Sequence, residues 1–269
     1  MRGASRASYA ELRDQLGAVA VDTATAEQIG DQLFAVVRLL DSEHGLRRAL
    51  ADSGKPAAEK TAVARRLMHG RVSEATEGLV ADAAAGHWAS SNDFADALEL
   101  LAIEALAMAA QYGGTLDDLE DDLFRFGRVV SGATGLRAVL IGPTTTDAKT
   151  SLLADLLSEK VSGPSLSLIT QLLTHPRGRS PQAALDVAAG IAARRRSQLV
   201  AVVRAASELS VAQRRRLLDT LTAAYGQGIH LNVVHDPAVI GGVSVQIGDE
   251  LVDGTAASRL AAVRRKLAS

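Results

Sequence analysis

The sequence predicts a mainly α-helical protein in which two repeated helical-bundle domains are followed by a small α/β domain. Hydrophobic residues make up 47% of the chain and aromatic residues only 3%, so the core is aliphatic and rich in helix-forming alanine and leucine. A segment of 24 residues recurs 90 positions later. Beyond residue 197 the apolar residues alternate, which indicates strands. These changes place the domains at 1–94, 95–197 and 198–269.

The repeat is visible without any gap in the alignment. Glu27–Leu50 and Asp117–Leu140 are identical at eight of 24 positions, where chance would give about one or two. The identical pairs are Asp31/Asp121, Leu33/Leu123, Phe34/Phe124, Arg38/Arg128, Gly45/Gly135, Leu46/Leu136, Arg47/Arg137 and Leu50/Leu140. A period of this length is too long for a solenoid unit, and it indicates that a whole small domain was duplicated.

Helices of the first copy are predicted from apolar residues that recur every three or four positions. In the second of them, Ile29, Leu33 and Val37 share one face. The predicted helices are Ser8–Val19, Ala26–Asp41, Gly45–Leu50, Ala57–His69 and Ser73–Ala85.

The second copy shows the same pattern with clear stop signals. Gly113 and Gly114 end its first helix because glycine adopts the conformation that closes a helix at low cost. Acidic residues gather at the start of the next helix, where they suit the helix dipole, and Gly142-Pro143 breaks the chain further on. The predicted helices are Asp96–Tyr112, Leu116–Val130, Asp147–Leu157, Pro164–Leu173 and Gln182–Arg196.

The third domain reads as strand, helix and three further strands. Gln198–Arg204 is rich in valine, Ser210–Tyr225 is amphipathic with Ser210 as its cap, and Ile229–Val234 alternates. Asp236-Pro237 ends that strand because proline has no N–H to donate. The remaining predicted features are a glycine bulge at Gly241-Gly242, a strand over Val243–Ile247, a turn at Gly248-Asp249, a strand over Glu250–Asp253 and a helix to the end of the chain.

Composition excludes several classes of function. The chain has no cysteine, so disulfides, thiolate metal sites and cysteine catalysis are excluded. Its net charge of −2 provides no global attraction to nucleic acid or anionic lipid. The longest apolar stretch, Leu98–Ala110, is interrupted by Glu99 and Glu104, and the N-terminus lacks an apolar secretory segment. We therefore expect a soluble chain that meets a membrane only through a partner.

The search for catalytic or ligand-binding motifs predicts no catalytic residue, cofactor or metal. Gly54–Thr61 comes close to a phosphate-binding loop, but Glu59 stands where that motif needs glycine and the preceding segment is helical. The segment is better interpreted as a helix start with Lys60 as a surface or packing lysine. His230 and His235 are five positions apart on a strand, so they point to opposite faces.

Three basic triplets leave a nucleic-acid-binding or scaffold function open as an alternative. They are Arg194-Arg195-Arg196, Arg214-Arg215-Arg216 and Arg264-Arg265-Lys266, all on predicted helices. Single-strand binders also use aromatic residues for stacking, and Tyr225 is the only aromatic residue after Phe126. Solvated helix faces or a surface for an acidic protein explain the triplets better.

The C-terminal segment resembles the signature of the delta subunit of F-type ATP synthases, the counterpart of the mitochondrial oligomycin-sensitivity protein. The matching motifs are His235-Asp236-Pro237, Ile240-Gly241-Gly242-Val243, Ile247-Gly248-Asp249 and Val252-Asp253-Gly254-Thr255, followed by Arg259-Leu260. His235 and Thr255 depart mildly from the usual valine and serine. The usual family member has one helical domain, and the duplicated form is similar to the delta subunits of high-GC Gram-positive bacteria.

The resemblance implies a non-catalytic stator component of the proton-translocating enzyme, located at the cytoplasmic face of the cell membrane. It would bind N-terminal segments of the alpha subunits through its helical domain and the b subunits of the peripheral stalk through its C-terminal domain. It implies a structural role for the signature residues Asp236, Pro237, Gly241, Gly242, Gly248, Asp253 and Gly254. The alpha-subunit groove would lie between the first and fifth helices of a copy. The matching residues are Tyr9, Leu12, Leu16 and Leu79 in copy one, or Leu101, Ala105, Met108, Leu168 and Leu172 in copy two.

Overall fold

A computed structural model confirms the predicted fold class. It describes residues 3–196, 199–207, 209–225, 228–237, 239, 242–247 and 250–253. The chain divides into two compact units, Met1–Arg195 and Arg196–Ser269. The first unit is helical, and the second contains a small sheet. Within the described residues, no helix combines the length and hydropathy needed to cross a bilayer.

Ten of the eleven helices described in the first unit match predicted helices, with differences of up to five residues at their ends. Their N-termini are capped by side chains at several points; Asp22, Ser73, Ser90, Thr145 and Ser162 each accept a hydrogen bond from a backbone N–H three residues on. The helices are α1 (Ala4–Val19), α2 (Thr23–Ser42), α3 (His44–Ala51), α4 (Ala57–Met68), α5 (Glu74–Ala85), α6 (Ser91–Tyr112), α7 (Leu116–Gly132), α8 (Thr134–Ile141), α9 (Thr146–Leu157), α10 (Gly163–Thr174) and α11 (Pro181–Arg196).

Helix α6 is the centre of the first unit. Every residue of its segment 101–110 is buried, and the helix packs against α1, α2, α3, α5, α7 and α10. A single hydrophobic cluster therefore runs through both sequence repeats. The division at 94/95 remains a prediction about the repeats, because both copies lie within one compact unit.

Helices α2 and α6 approach each other at Gly30. A Cβ atom on Gly30 would lie 2.8 Å from Cγ and Cδ2 of Leu106 and 3.3 Å from the carbonyl oxygen of Ala102. Only glycine fits without displacing these atoms, so this residue sets how closely the two helices pack.

The sequence duplication is also present in the structure, since α2–α5 and α7–α10 have matching order and lengths. Helix α8 was not among the predicted helices, although the matching segment of copy one was predicted as a helix. Gly135 lowers its intrinsic helix propensity, and the Gly142-Pro143 break follows directly after its last residue. The sequence feature that points to α8 is the gap-free alignment of its segment with the segment that forms α3.

The described elements of the second unit are β1 (Leu199–Ala205), α12 (Val211–Tyr225), β2 (Ile229–His235), β3 (Val243–Ile247) and β4 (Glu250–Asp253). The strands form one sheet in the order β2-β1-β3-β4, with β1 and β2 parallel and the other pairs antiparallel. Ser210 caps α12 as predicted: the Gln213 N–H donates to Ser210 Oγ (3.2 Å), and the Ser210 N–H donates to Gln213 Oε1 (2.9 Å). Ala201, Val203, Leu231, Val245 and Ile247 are among the residues that form the core of this unit.

The signature residues that the structure describes lie at the ends of strands. Asp236 extends the β1–β2 pairing by donating its N–H to the Ala205 carbonyl (2.9 Å), and its own carbonyl accepts from Val239 (3.1 Å). Gly242 has φ of 120°, a conformation that favours glycine. Asp253 ends β4 opposite Ser244. Gly241, Gly248, Gly254, Thr255, the predicted terminal helix and its basic triplet lie outside the described residues.

Candidate functional site

In copy one, the predicted partner-binding residues lie where α1 packs against the rest of the unit. Leu12, Leu16 and Leu79 are buried and Tyr9 is half-buried. Burial raises the pKa of the Tyr9 hydroxyl above its ordinary value, and the carboxylate of Glu104 adds to the effect. Of these four side chains, Tyr9 is the one that reaches the surface.

Helix α1 is fixed in place by two buried serines. Ser8 Oγ accepts from the His87 N–H (3.0 Å) and donates to the His87 carbonyl (3.2 Å), while Ser5 Oγ accepts from the Ala89 N–H (2.9 Å). These bonds join the start of α1 to the segment after α5. The edge between α1 and α5 is therefore held at a defined spacing where α5 ends.

In copy two, the predicted residues lie in the core. Leu101, Ala105 and Met108 on α6 and Leu168 and Leu172 on α10 are all no more than 1% exposed. They are covered because α6 is packed on several sides by helices of the same chain. Across both copies, eight of the nine predicted residues are buried, and their role in partner binding remains a prediction.

The segment that resembles a phosphate-binding loop is a packed helix start. Lys60 is 4% exposed, and its ammonium group donates to the carbonyl of Gly86 (3.3 Å). Burial lowers the pKa of this ammonium below its ordinary value. Lys60 is therefore a packing residue, one of the two roles the sequence predicted for it.

The first basic triplet does not form a continuous surface. Arg194 and Arg196 are exposed, whereas Arg195 is buried between them. The two outer arginines lie on the solvent-facing side of the helix, whereas the inner arginine packs inside the unit.

Two ionic centres were not predicted, and both lie on α6. The first is built on Glu99, whose side chain is almost fully buried. Its Oε2 atom lies 2.9 Å from Arg177 Nη1 and 2.6 Å from Arg179 Nη2. Arg177 also contacts Asp41 on α2 at 2.7 Å and Asp96 on α6 at 2.9 Å. The centre therefore joins copy one, α6 and the loop between α10 and α11.

The loop that carries Arg177 is held in an unfavourable backbone conformation. Arg177 has φ of 48°, a region that a side chain with a Cβ rarely adopts. Burial alone would lower the pKa of Arg177, but the carboxylates of Glu99, Asp41 and Asp96 outweigh burial and raise it. The ionic contacts thus offset two free-energy costs, that of desolvating the guanidinium and that of the strained backbone.

The second centre is built on Glu104. Its carboxylate lies 3.3 Å from Arg13 Nε on α1 and 3.8 Å from Arg195 Nε on α11. Arg195 also donates to Gln111 Oε1 (2.9 Å). Burial lowers the pKa of Arg195, and Glu104 opposes that shift. The first and last helices of the unit are therefore connected through one carboxylate.

The signal for both centres was present in the sequence, since Glu99 and Glu104 interrupt the most apolar stretch of the chain. Acidic residues within such a stretch are expected to be paired if they are buried. Their arginine partners, 78 to 91 residues away along the chain, cannot be identified by spacing. Among the described residues there is no group of three His, Asp or Glu arranged to hold a metal ion.

Comparison with known proteins gives a consistent result over the whole chain. The family model described as "ATP synthase delta (OSCP) subunit" matches residues 103–267. The "ATP synthase subunit delta" of Streptomyces griseus subsp. griseus is 43% identical over 270 residues, covering 100% of each chain. Those of Thermobifida fusca and Acidothermus cellulolyticus are 42% and 41% identical, also over 100% of each chain.

A solved structure also matches, but weakly. A chain of the Toxoplasma gondii mitochondrial ATP synthase hexamer has a TM-score of 0.28 at 16% identity, covering 62% of this chain and 95% of that chain. A TM-score of this size carries no argument about the fold. The family model begins at residue 103, so all of copy one lies outside it, whereas the bacterial relatives match across both copies.

Proposed function

The chain belongs to the ATP synthase delta (OSCP) subunit family, and we propose that it links the b subunits of the peripheral stalk to the alpha subunits of the catalytic head. A subunit of this family is a non-catalytic component of the peripheral stalk. In the proposed role it prevents the head from turning with the central stalk, so that rotation driven by protons produces ATP. The observation that carries the proposal is the sequence identity of 43% and 44% to two actinobacterial delta subunits over essentially their full length.

The proposal includes a location. The chain would lie at the cytoplasmic face of the cell membrane, held there through the complex. The direct test is purification of the membrane-bound ATP synthase from the organism by a tag on another subunit. We expect this chain to co-purify in a fixed ratio with the complex. Its absence from an otherwise intact, coupled complex would overturn the proposed function.

We expect the helical unit to bind a peptide of the alpha-subunit N-terminal segment as an amphipathic helix. Tyr9 is the accessible member of the α1–α5 edge, and an aromatic anchor typically dominates such contacts. Tyr9→Ala should weaken binding by about tenfold or more, a loss of about 1.4 kcal/mol. Isothermal titration calorimetry with the full chain measures the effect.

Tyr9→Phe is the matched control, because it keeps the ring and removes only the hydroxyl. It should bind within about twofold of the natural chain. Circular dichroism shows whether each variant is folded. Unchanged affinity of a folded Tyr9→Ala variant would place the alpha-subunit contact elsewhere on the chain.

We further expect the b subunits to bind through the second unit, independently of the alpha peptide. Titration of the full chain with a C-terminal segment of the b subunit should give the same affinity, within about twofold, with and without saturating alpha peptide. Both ligands should then be found together on one chain by analytical ultracentrifugation. Competition between the two peptides would contradict separate binding surfaces.

A further inference from the structure

One face of α2 combines an aromatic ring with two polar side chains that bind α10. The Ser167 hydroxyl on α10 donates to Asp31 Oδ1 (3.1 Å), and Arg38 Nη1 donates to Gln171 Oε1 (2.6 Å). Phe34 lies three positions after Asp31 and four before Arg38, which places it on the same face of α2 between the two bonds. It is only 5% exposed.

Helix α7 carries the same three residues at the same spacing. Asp121, Phe124 and Arg128 are the repeat counterparts of the α2 residues, and all three are exposed. Phe124 is 62% exposed. Within the described part of the chain, the Asp121 carboxylate and the Arg128 guanidinium make no hydrogen bond or ion pair. One turn further on, Ser131 donates to Gln182 of α11 (2.6 Å), so the open face runs from Asp121 to Arg128.

We propose that this face of α7 is a docking surface for a helix of another subunit in the same complex. The α2–α10 contact defines the chemistry of the occupant. It is an uncharged amphipathic helix with a hydroxyl residue that donates to Asp121 and, four positions later, an amide that accepts from Arg128. An apolar surface between them covers Phe124. Asp31 pairs with the earlier α10 residue and Arg38 with the later one, so the partner helix runs in the same chain direction as α7.

A second copy of this chain does not provide that occupant. The complementary residues of α10, Ser167 and Gln171, already pair with α2 of their own chain. In α5, the repeat counterpart of α10, the equivalent positions are Gly78 and Asp82, which supply neither a hydroxyl nor an amide. The partner must therefore be a different polypeptide. That step rests on the proposed function, since it takes the partner from the ATP synthase.

The test uses the photo-cross-linker p-benzoylphenylalanine, which is phenylalanine with a benzoyl group at the para position of the ring. Placed at Phe124 in the chain of the purified complex, it should cross-link to a helical segment of one other subunit that has a Ser or Thr four positions before a Gln or Asn. Placed at Val63, which is also an exposed apolar residue, it should give no cross-link to that segment.

Affinity provides an independent measurement. Phe124→Ser and Arg128→Glu should each weaken binding of the identified segment by about tenfold or more, and Val63→Ser should leave it unchanged. Both helix-surface variants should fold, because their side chains are exposed. A complex that contains the chain but shows no cross-link at position 124, or a cross-link to a second copy, overturns this inference and leaves the proposed function standing. Absence of the chain from the complex overturns both.

Discussion

Replacing Glu99 with alanine is expected to lower the free energy of unfolding of the helical unit by about 3–5 kcal/mol, because removing one partner leaves buried charges without compensation. Arg177 and Arg179 would both lose their shared carboxylate. Only Asp96 and Asp41 would remain to balance the positive charge and the strained backbone of Arg177. For a unit of this size the midpoint of thermal unfolding should fall by about 10 °C.

Urea unfolding followed by circular dichroism measures the loss. Glu11→Ala is the matched control: Glu11 is an exposed acid on α1, and its removal should change stability by no more than about 0.5 kcal/mol. The double variant Glu99→Ala/Arg177→Ala should lose less than the sum of the single variants, since the two residues share a contact. A loss below about 1 kcal/mol for Glu99→Ala would show that the ionic centre adds little to the fold.

Replacing Gly30 with valine is expected to cost about 2–3 kcal/mol through overpacking. The first added carbon would already lie 2.8 Å from two atoms of Leu106, a side chain that is 1% exposed in a close-packed interior. The carbonyl of Ala102 at 3.3 Å restricts the other side. Helices α2 and α6 would have to separate, and that contact lies at the centre of the unit.

Gly78→Ala on α5 is the control for this substitution. A Cβ there meets nothing within 4 Å, so the variant should gain about 0.5–1 kcal/mol from its higher helix propensity. Trp88 is the only tryptophan and is buried, so its fluorescence reports unfolding of this unit. If Gly30→Val were as stable as the natural chain, the close approach of α2 and α6 would not be a constraint on packing.

The helices and strands could be predicted because their apolar residues follow the period of each element. Alternation in Ile229–Val234 and three- or four-residue spacing in Ala26–Asp41 depend only on local sequence. The missed helix α8 shows the limit of local propensity, since its glycine and the Gly-Pro break that follows concealed a helix that packing stabilises. Comparison of the two repeats carries more information there than propensity does.

Candidate binding residues were harder to predict, for a physical reason. An apolar stripe such as Leu101, Ala105 and Met108 has the same pattern whether it faces a partner or a helix of its own chain. Only the tertiary structure shows that α6 is enclosed. Likewise, Phe124 is exposed and Phe34 is buried, although both lie between the same Asp and Arg residues of the repeat. The same spacing of Asp, Phe and Arg therefore has different surroundings in the two copies.

The enclosure of α6 also determines when this protein can fold during synthesis. Helices α1–α5 cannot complete their core until residues 91–112 have left the ribosome, because α6 supplies its central surface. The arginine partners of Glu99 (Arg177 and Arg179) and one partner of Glu104 (Arg195) are synthesised much later than these two carboxylates. Domains that fold as units usually do so in order from the N-terminus. Here both repeats lie in one compact unit, Met1–Arg195, so we expect a nascent chain that lacks the later helices of this unit to expose part of its apolar core.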